Sequence, residues 1–103
     1  MHRRYELLLP LGFNDGGAVP ESVIADTLLE LRHRFGAVST ETQIIQGRWQ
    51  YEGEVYQDEL MRVFTDVPDT PENRAFFLAL KERLKLRFQQ FDIWLTSHPV
   101  EVL

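Results

Sequence analysis

The chain has 103 residues, of which 44% are hydrophobic and 26% are charged, and its formal net charge is −5. This length and this mixture are typical of one globular domain, which we expect to span residues 1–103. The lack of cysteine excludes disulfides, thiolate nucleophiles and cysteine-ligated metals. Nucleic-acid binding is not expected, because it normally needs a basic surface.

The N-terminal segment does not have the pattern of a signal peptide. Glu6 and Pro10 interrupt its apolar run, and no small-residue cleavage site follows. No stretch of the sequence is long and apolar enough to span a bilayer. We therefore expect a cytoplasmic protein that makes no membrane contact.

A first strand is predicted from Arg4 to Leu11, where apolar residues alternate with others until Pro10 weakens the pairing. The segment GFNDGGAV then predicts a loop, and its spacing matches no phosphate-binding motif. A helix is predicted to follow, with Pro20 in its first turn, Phe35 near its end and Gly36 as a left-handed C-cap.

The middle of the chain predicts a hairpin. One strand runs from Ala37 to Tyr51 and the next from Glu54 to Thr65, joined by a tight turn at Glu52-Gly53.

A second helix is predicted to begin after Thr70, a good N-cap, with Pro71 at the first helical position. The alternation from Phe91 to Thr96 predicts a last strand, after which His98-Pro99 is expected to turn the chain.

The element order β-α-β-β-α-β predicts an α+β, ferredoxin-like sandwich, in which both helices cover one face of an antiparallel four-stranded sheet. The core is expected where helical residues recur at intervals of three and four. These residues are Ile24, Leu28, Leu31 and Phe35 in the first helix, and Phe77, Leu80, Leu84 and Phe88 in the second.

Several segments in this order resemble a family of small bacterial proteins classed as a domain of unknown function, many of them secreted or lipoprotein-like. The segments are LGFNDGGAV, RFG at Arg34 to Gly36, QGRW in the hairpin, Glu59 on the next strand, and LKLRFQQ at the end of the second helix. The resemblance implies a compact α+β domain, and it supplies no activity and no catalytic residue.

A candidate binding site lies on the hairpin, where Arg48 and Glu59 sit on neighbouring strands beside Trp49. An arginine fork and a carboxylate next to an indole could bind a polar or anionic small molecule. The alternative is an ion pair that only stabilises the sheet. His98 is the most plausible functional histidine, but the histidines form no metal-binding pattern, so we expect no metal and no cofactor.

The remaining charges are expected to be solvated. Asp58 and Glu59 are adjacent on a strand and therefore point to opposite faces. A basic group in the second helix is explained by the helix dipole or, alternatively, by an acidic partner. Its members are Lys81, Arg83, Lys85 and Arg87.

Apolar residues occur at both parities of the predicted strands, as in Leu8 between Leu7 and Leu9. A sheet with one wet face should alternate cleanly, so something is expected to cover the helix-free face. We expect a homodimer through this face that uses Trp94 and at least one of Leu8, Trp49 and Met61.

Two functions remain open from the sequence. The first is a non-catalytic, self-associating protein with a binding or structural role. The alternative is a small enzyme of the dimeric α+β barrel type, acting on a small apolar or aromatic molecule in a pocket on the helix-free face. The candidate ligand-binding residues are Arg48, Trp49, Glu59, Trp94 and His98.

Overall fold

The computed structural model describes residues 1–41 and 43–103. The helices are α1 (Glu21–Phe35) and α2 (Pro71–Arg87), and the strands are β1 (His2–Pro10), β2 (Ser39–Thr40), β3 (Ile45–Tyr51), β4 (Glu54–Pro68) and β5 (Trp94–Val100). The ferredoxin-like α+β architecture is confirmed. The sheet has five strands in place of four, because the predicted strand from Ala37 to Tyr51 is divided into β2 and β3. Thr42, within that prediction, lies outside the described residues.

The strands form one antiparallel sheet around β4, which pairs with β1 on one side and with β2 and β3 on the other. Leu60 lies opposite both Pro10 and Ile45, so β3 continues the edge that β2 begins. β5 pairs with the free side of β1. β4 extends beyond the end of β1, and there its first residues pair with β3 alone.

Both helices pack on one face of this sheet, because alternate residues of β1 and β4 are buried together with one face of each helix. Leu31, Phe77, Leu80, Leu84 and Phe88 are buried as predicted, whereas the predicted core residues Ile24, Leu28 and Phe35 are only partly buried against this cluster. The strand residues buried on the helix side are Tyr5, Leu7, Leu9, Val63, Thr65 and Val67. Neither described helix has the length and apolarity needed to cross a membrane.

The helix ends follow the predicted signals in all but one respect. Thr70 accepts a hydrogen bond from the backbone N–H of Asn73 at 3.2 Å, and Pro71 is the first residue of α2. Gly36 caps α1 in the left-handed conformation, with φ of 83°. The placement of Pro20 in the first turn was wrong: it is the N-cap, and it offers no side chain to accept a hydrogen bond.

The last strand differs from the prediction at both ends. The segment from Phe91 to Ile93 precedes β5, because Asp92 Oδ1 accepts the backbone N–H of Ile93 at 2.9 Å and turns the chain there. The turn predicted at His98-Pro99 was also wrong, since both residues lie within β5. Among the described strands β5 pairs only with β1, and an edge strand tolerates a proline, which has no N–H to donate to a neighbouring strand.

Candidate functional site

The helix-free face of the sheet consists of two zones with different chemistry. Even-numbered residues of β1, the second half of β4 and β5 point to this face. We call one part the polar zone, which is formed by Arg4, Glu6, Arg62, Phe64, Asp66 and His98. We call the other part the apolar zone, which is formed by Leu8, Leu60 and Trp94 together with Trp49 and Tyr51 of β3.

The polar zone is satisfied by contacts within the chain. Arg4 donates two hydrogen bonds to the Asp66 carboxylate, at 2.8 and 3.0 Å. Arg62 forms ion pairs with Glu6 and with Glu41. The guanidinium carbons of Arg4 and Arg62 lie 4.5 and 4.9 Å from the centre of the Phe64 ring, so two cations cover this aromatic side chain.

These contacts also set the protonation of Asp66. The hydrogen bonds from Arg4 hold the pKa of the Asp66 carboxyl below its ordinary value, and the charges of Arg4, His98 and His2 add to that effect against a smaller opposing effect of burial. His98 lies opposite Arg4 in the strand register. It therefore belongs to the polar zone.

The part of the hairpin beyond β1 carries an aromatic cluster, formed by Trp49, Tyr51, Tyr56 and Phe91. Trp49 stacks on Tyr56 with ring centres 4.5 Å apart, and Tyr51 stacks on Phe91 at 4.6 Å. Phe91 belongs to the loop between α2 and β5, so the hairpin and this loop meet through their rings. An ion pair of 3.2 Å between Lys81 and Asp92 ties the same loop to α2.

A cleft of about 640 Å³ lies against this cluster on the helix-free face. Leu8, Pro10 and Leu60 contribute apolar surface from β1 and β4, and Trp94 contributes from β5. The remaining lining residues come from β3 and from the loop before β5, apart from Asp58 of β4. They are Gly47, Arg48, Trp49, Gln50, Tyr51, Gln90, Phe91, Asp92 and Ile93. Such a concave, mostly apolar surface with a few polar groups is typical of small-molecule sites.

Asp58 is the acidic group that faces this cleft from β4. Trp49 Nε1 donates a hydrogen bond of 2.5 Å to Asp58 Oδ2. Gly47 lies opposite Asp58 in the register and has no side chain to cover the carboxylate. A Cβ at Gly47 would lie 2.9 Å from Leu60 Cδ1, so a larger residue does not fit there without a shift.

The structure separates the candidate residues from the sequence into different surfaces. Arg48, Trp49 and Trp94 line the cleft, whereas His98 lies in the polar zone. Glu59 is exposed and has the opposite parity to Asp58 on β4.

The hairpin register also bears on the expected pairing of Arg48 with Glu59. Gln57 is opposite Arg48, and Gln46 is opposite Glu59. The ion pairs of the described residues do not include one between Arg48 and Glu59.

Two expectations about this surface are corrected. Asp58 was expected to be solvated, but it is half-buried and hydrogen-bonded, because Trp49 lies on the same side of the hairpin. Met61 was offered as an interface residue of the helix-free face, but it points to the other side and packs against the core. Odd-numbered residues of this part of β4 share the side of Val63.

The basic group of α2 is paired within the chain. Arg83 and Arg87 both contact Glu30 of α1, at 2.5 and 3.2 Å, and Lys85 contacts Glu82. The pairs with Glu30 join the two helices and the pair with Glu82 lies within α2, so the group does not need an acidic partner. Across the described ranges, no cluster of three or more His, Asp or Glu side chains is arranged to hold a metal ion.

No family model matches the sequence, and no curated protein matches it either. Solved structures match the fold. A phage SAM lyase in complex with S-methyl-5′-thioadenosine superposes with a TM-score of 0.70 at 14% identity, over 94% of this chain and 80% of the lyase.

Proteins of the CutA type also match. The divalent cation tolerance protein CutA1 of Thermus thermophilus gives a TM-score of 0.64 at 18% identity, over 97% of this chain and 84% of that protein. The periplasmic divalent cation tolerance protein CutA of Archaeoglobus fulgidus gives 0.64 at 12% identity, over 99% and 86%. At these identities the likeness shows that the chain has the same small α+β fold.

Proposed function

We propose that the protein is a non-catalytic binding protein that associates with a second copy of itself through the apolar zone. The observation that carries this proposal is the exposure of large aromatic side chains around one cleft. Trp94 is 64% exposed, Phe91 47% and Tyr51 42%. Contiguous exposed apolar surface of this kind is typical of an interaction site.

The two zones determine which part of the sheet face would be used. The polar zone gains little from a partner, because its arginines and carboxylates already pair with each other. The apolar zone has no such cover within the described part of the chain. Two-fold association lets one patch serve both copies, and a tryptophan such as Trp94 is the kind of residue that anchors an interface.

Light scattering on the wild-type protein at micromolar concentration tests this proposal. We expect a dimer, and we expect Trp94→Glu to give a monomer because it places a charge without a partner in the interface. Leu86→Glu is the matched control, since Leu86 is 83% exposed on α2, away from the apolar zone. A wild-type monomer would show that the apolar zone is not a self-association surface.

A second candidate is a small enzyme that acts on a small aromatic molecule in the cleft. The cleft volume of about 640 Å³ supports it, and a lyase of the same fold is known in complex with S-methyl-5′-thioadenosine. Incubation with S-adenosylmethionine, followed by chromatography for S-methyl-5′-thioadenosine, tests for a lyase reaction directly. Product that forms with wild type and not with Trp94→Ala would favour the enzyme, and no product would exclude this reaction.

The cellular location is part of the proposal. We propose a cytoplasmic location, because a chain without cysteine is compatible with a reducing compartment. One of the structural neighbours is named as periplasmic, so fractionation of cells that express the natural gene is the test.

A further inference from the structure

We infer that the cleft binds a planar organic cation, of the class of N-alkylated aromatic heterocycles, with Asp58 as its counter-ion. This inference rests on the second candidate function, a small-molecule site in the cleft, and it adds the charge and shape of the ligand. It applies to a chain whose apolar zone is not covered by a second copy. Two features of the cleft carry it: the rings on its walls, and the carboxylate of Asp58, which is in no ion pair of the described residues.

The rings favour a flat ligand and tolerate a positive charge. Trp49, Tyr51 and Phe91 line one side of the cleft and hold one another in place through contacts of 4.6 to 6.5 Å between ring centres. Trp94 lines the cleft as well, and no described ring stacks on it. Trp94 is 64% exposed, so much of its indole is open to a ligand, and an indole is the aromatic side chain that attracts cations most strongly.

The charges of the cleft favour a cation over an anion. Asp58 has a hydrogen bond from Trp49, but the ion pairs of the described residues do not include Asp58. The other carboxylate of the lining, Asp92, is already paired with Lys81. Arg48 also borders the cleft, but it has the opposite parity to Trp49 on β3, so its Cβ points to the other side of the hairpin from Asp58.

The test compares N-methylquinolinium with quinoline at pH 8, where the first probe is a cation and the second is neutral. The chain has two tryptophans, so its ¹H–¹⁵N spectrum has two indole Nε1–H signals to follow. We expect N-methylquinolinium to shift both signals and to bind about fivefold more tightly than quinoline. If quinoline binds as tightly as N-methylquinolinium, the inferred preference for a cation is wrong, although the cleft is still a binding site.

The variant Asp58→Asn tests whether this carboxylate causes the preference for the cationic probe. Asp58→Asn keeps an oxygen that accepts from Trp49 but removes the charge, so we expect the two probes to bind within about twofold of each other. Glu59→Gln is the matched control, because Glu59 has the opposite parity on the same strand, and it should leave the fivefold difference intact. If both variants reduce the difference equally, the net charge of the protein and not Asp58 is responsible, and the inference fails.

Ionic strength gives a second measurement that does not depend on a variant. The Kd of N-methylquinolinium should rise between 50 and 500 mM NaCl, because salt screens the ion pair with Asp58, while the Kd of quinoline stays constant. If neither probe moves an indole signal, the cleft is not a binding site and the inference falls with it. Light scattering still decides the self-association proposal in that case, since it does not use either probe.

Discussion

Asp66 shows how a single side chain on the helix-free face depends on a residue far away in the sequence. Its carboxylate accepts two hydrogen bonds from Arg4, and strand pairing alone brings these two residues together. Because the pKa of Asp66 is lower in the folded chain than its ordinary value of 3.8, the folded state favours its charged form. The resulting stability is present at pH values above 3.8 and is lost as the pH falls through the lowered pKa.

We therefore expect Asp66→Asn to be less stable than wild type at pH 6, and the difference to shrink as the pH falls below about 4. Urea unfolding at several pH values measures this difference. Glu101→Gln is the control, because Glu101 is an exposed carboxylate after β5, and its effect should stay small at each pH. A difference for Asp66→Asn that is constant from pH 6 to pH 2 would contradict the role of the Arg4 pair.

At the residue scale the sequence singled out some of the residues that line the cleft. Trp49 and Trp94 stand out because a large aromatic on a strand needs cover, and both line the cleft. Asp58 was missed, since its role depends on the register that places it beside Trp49 and opposite Gly47. A pairing shifted by one residue would have placed it on the other side, and the sequence does not fix that register.

At the scale of elements, the turn of the β3–β4 hairpin contains a residue in an unfavourable conformation. Glu52 and Gly53 have φ values of 50° and 81°. Two consecutive positive φ angles match the turn type that suits two-residue hairpins, in which asparagine-glycine is preferred. A glutamate is less suited to this conformation than asparagine, whose short polar side chain tolerates it.

We expect Glu52→Asn to stabilise the protein by up to about 1 kcal/mol, because it relieves this conformation at the first turn position. Thermal or urea unfolding measures the gain. Glu54→Asn is the control, since it removes the same charge from the neighbouring strand, outside the positive-φ turn positions. An equal gain in both variants would attribute the effect to charge and would reject the backbone explanation.

Helix boundaries were more predictable than strand boundaries, for a physical reason. Thr70 and Gly36 act on backbone groups within a few residues of themselves, so their effect is visible in the local sequence. Strand boundaries depend on the neighbouring strand. Pairing with β4 determines where β2 and β3 are divided, and pairing with β1 lets β5 continue through Pro99. That information is distributed over the whole chain.

At the scale of the whole molecule, the fold was predictable from the order of elements. The sequence did not predict which part of the helix-free face is covered by the chain's own side chains. Apolar residues at both strand parities led to the expectation that the whole face needs a partner. The structure shows that Arg4 and Arg62 cover Phe64, so part of this face is satisfied by the chain itself. The proposed interface is correspondingly confined to the apolar zone.

The proposed self-association has a consequence for the stability of the whole molecule. If only the folded chain dimerises, the Tm of wild type should rise with protein concentration, whereas the Tm of Trp94→Glu should stay constant. Calorimetry over a hundredfold concentration range measures both. Equal behaviour of the two proteins would mean that Trp94 is not in the interface.

The length of β4 gives the molecule two regions of different local stability. From Leu60 onward β4 is held by β1 and by the helices, but from Glu54 to Asp58 it pairs with β3 alone, and most of these residues are exposed. Amide protons in the far part of the hairpin can therefore exchange with solvent through local opening, while the core stays folded. Trp49 and Asp58 lie in that part, so a ligand in the cleft would hold the hairpin closed and slow this exchange.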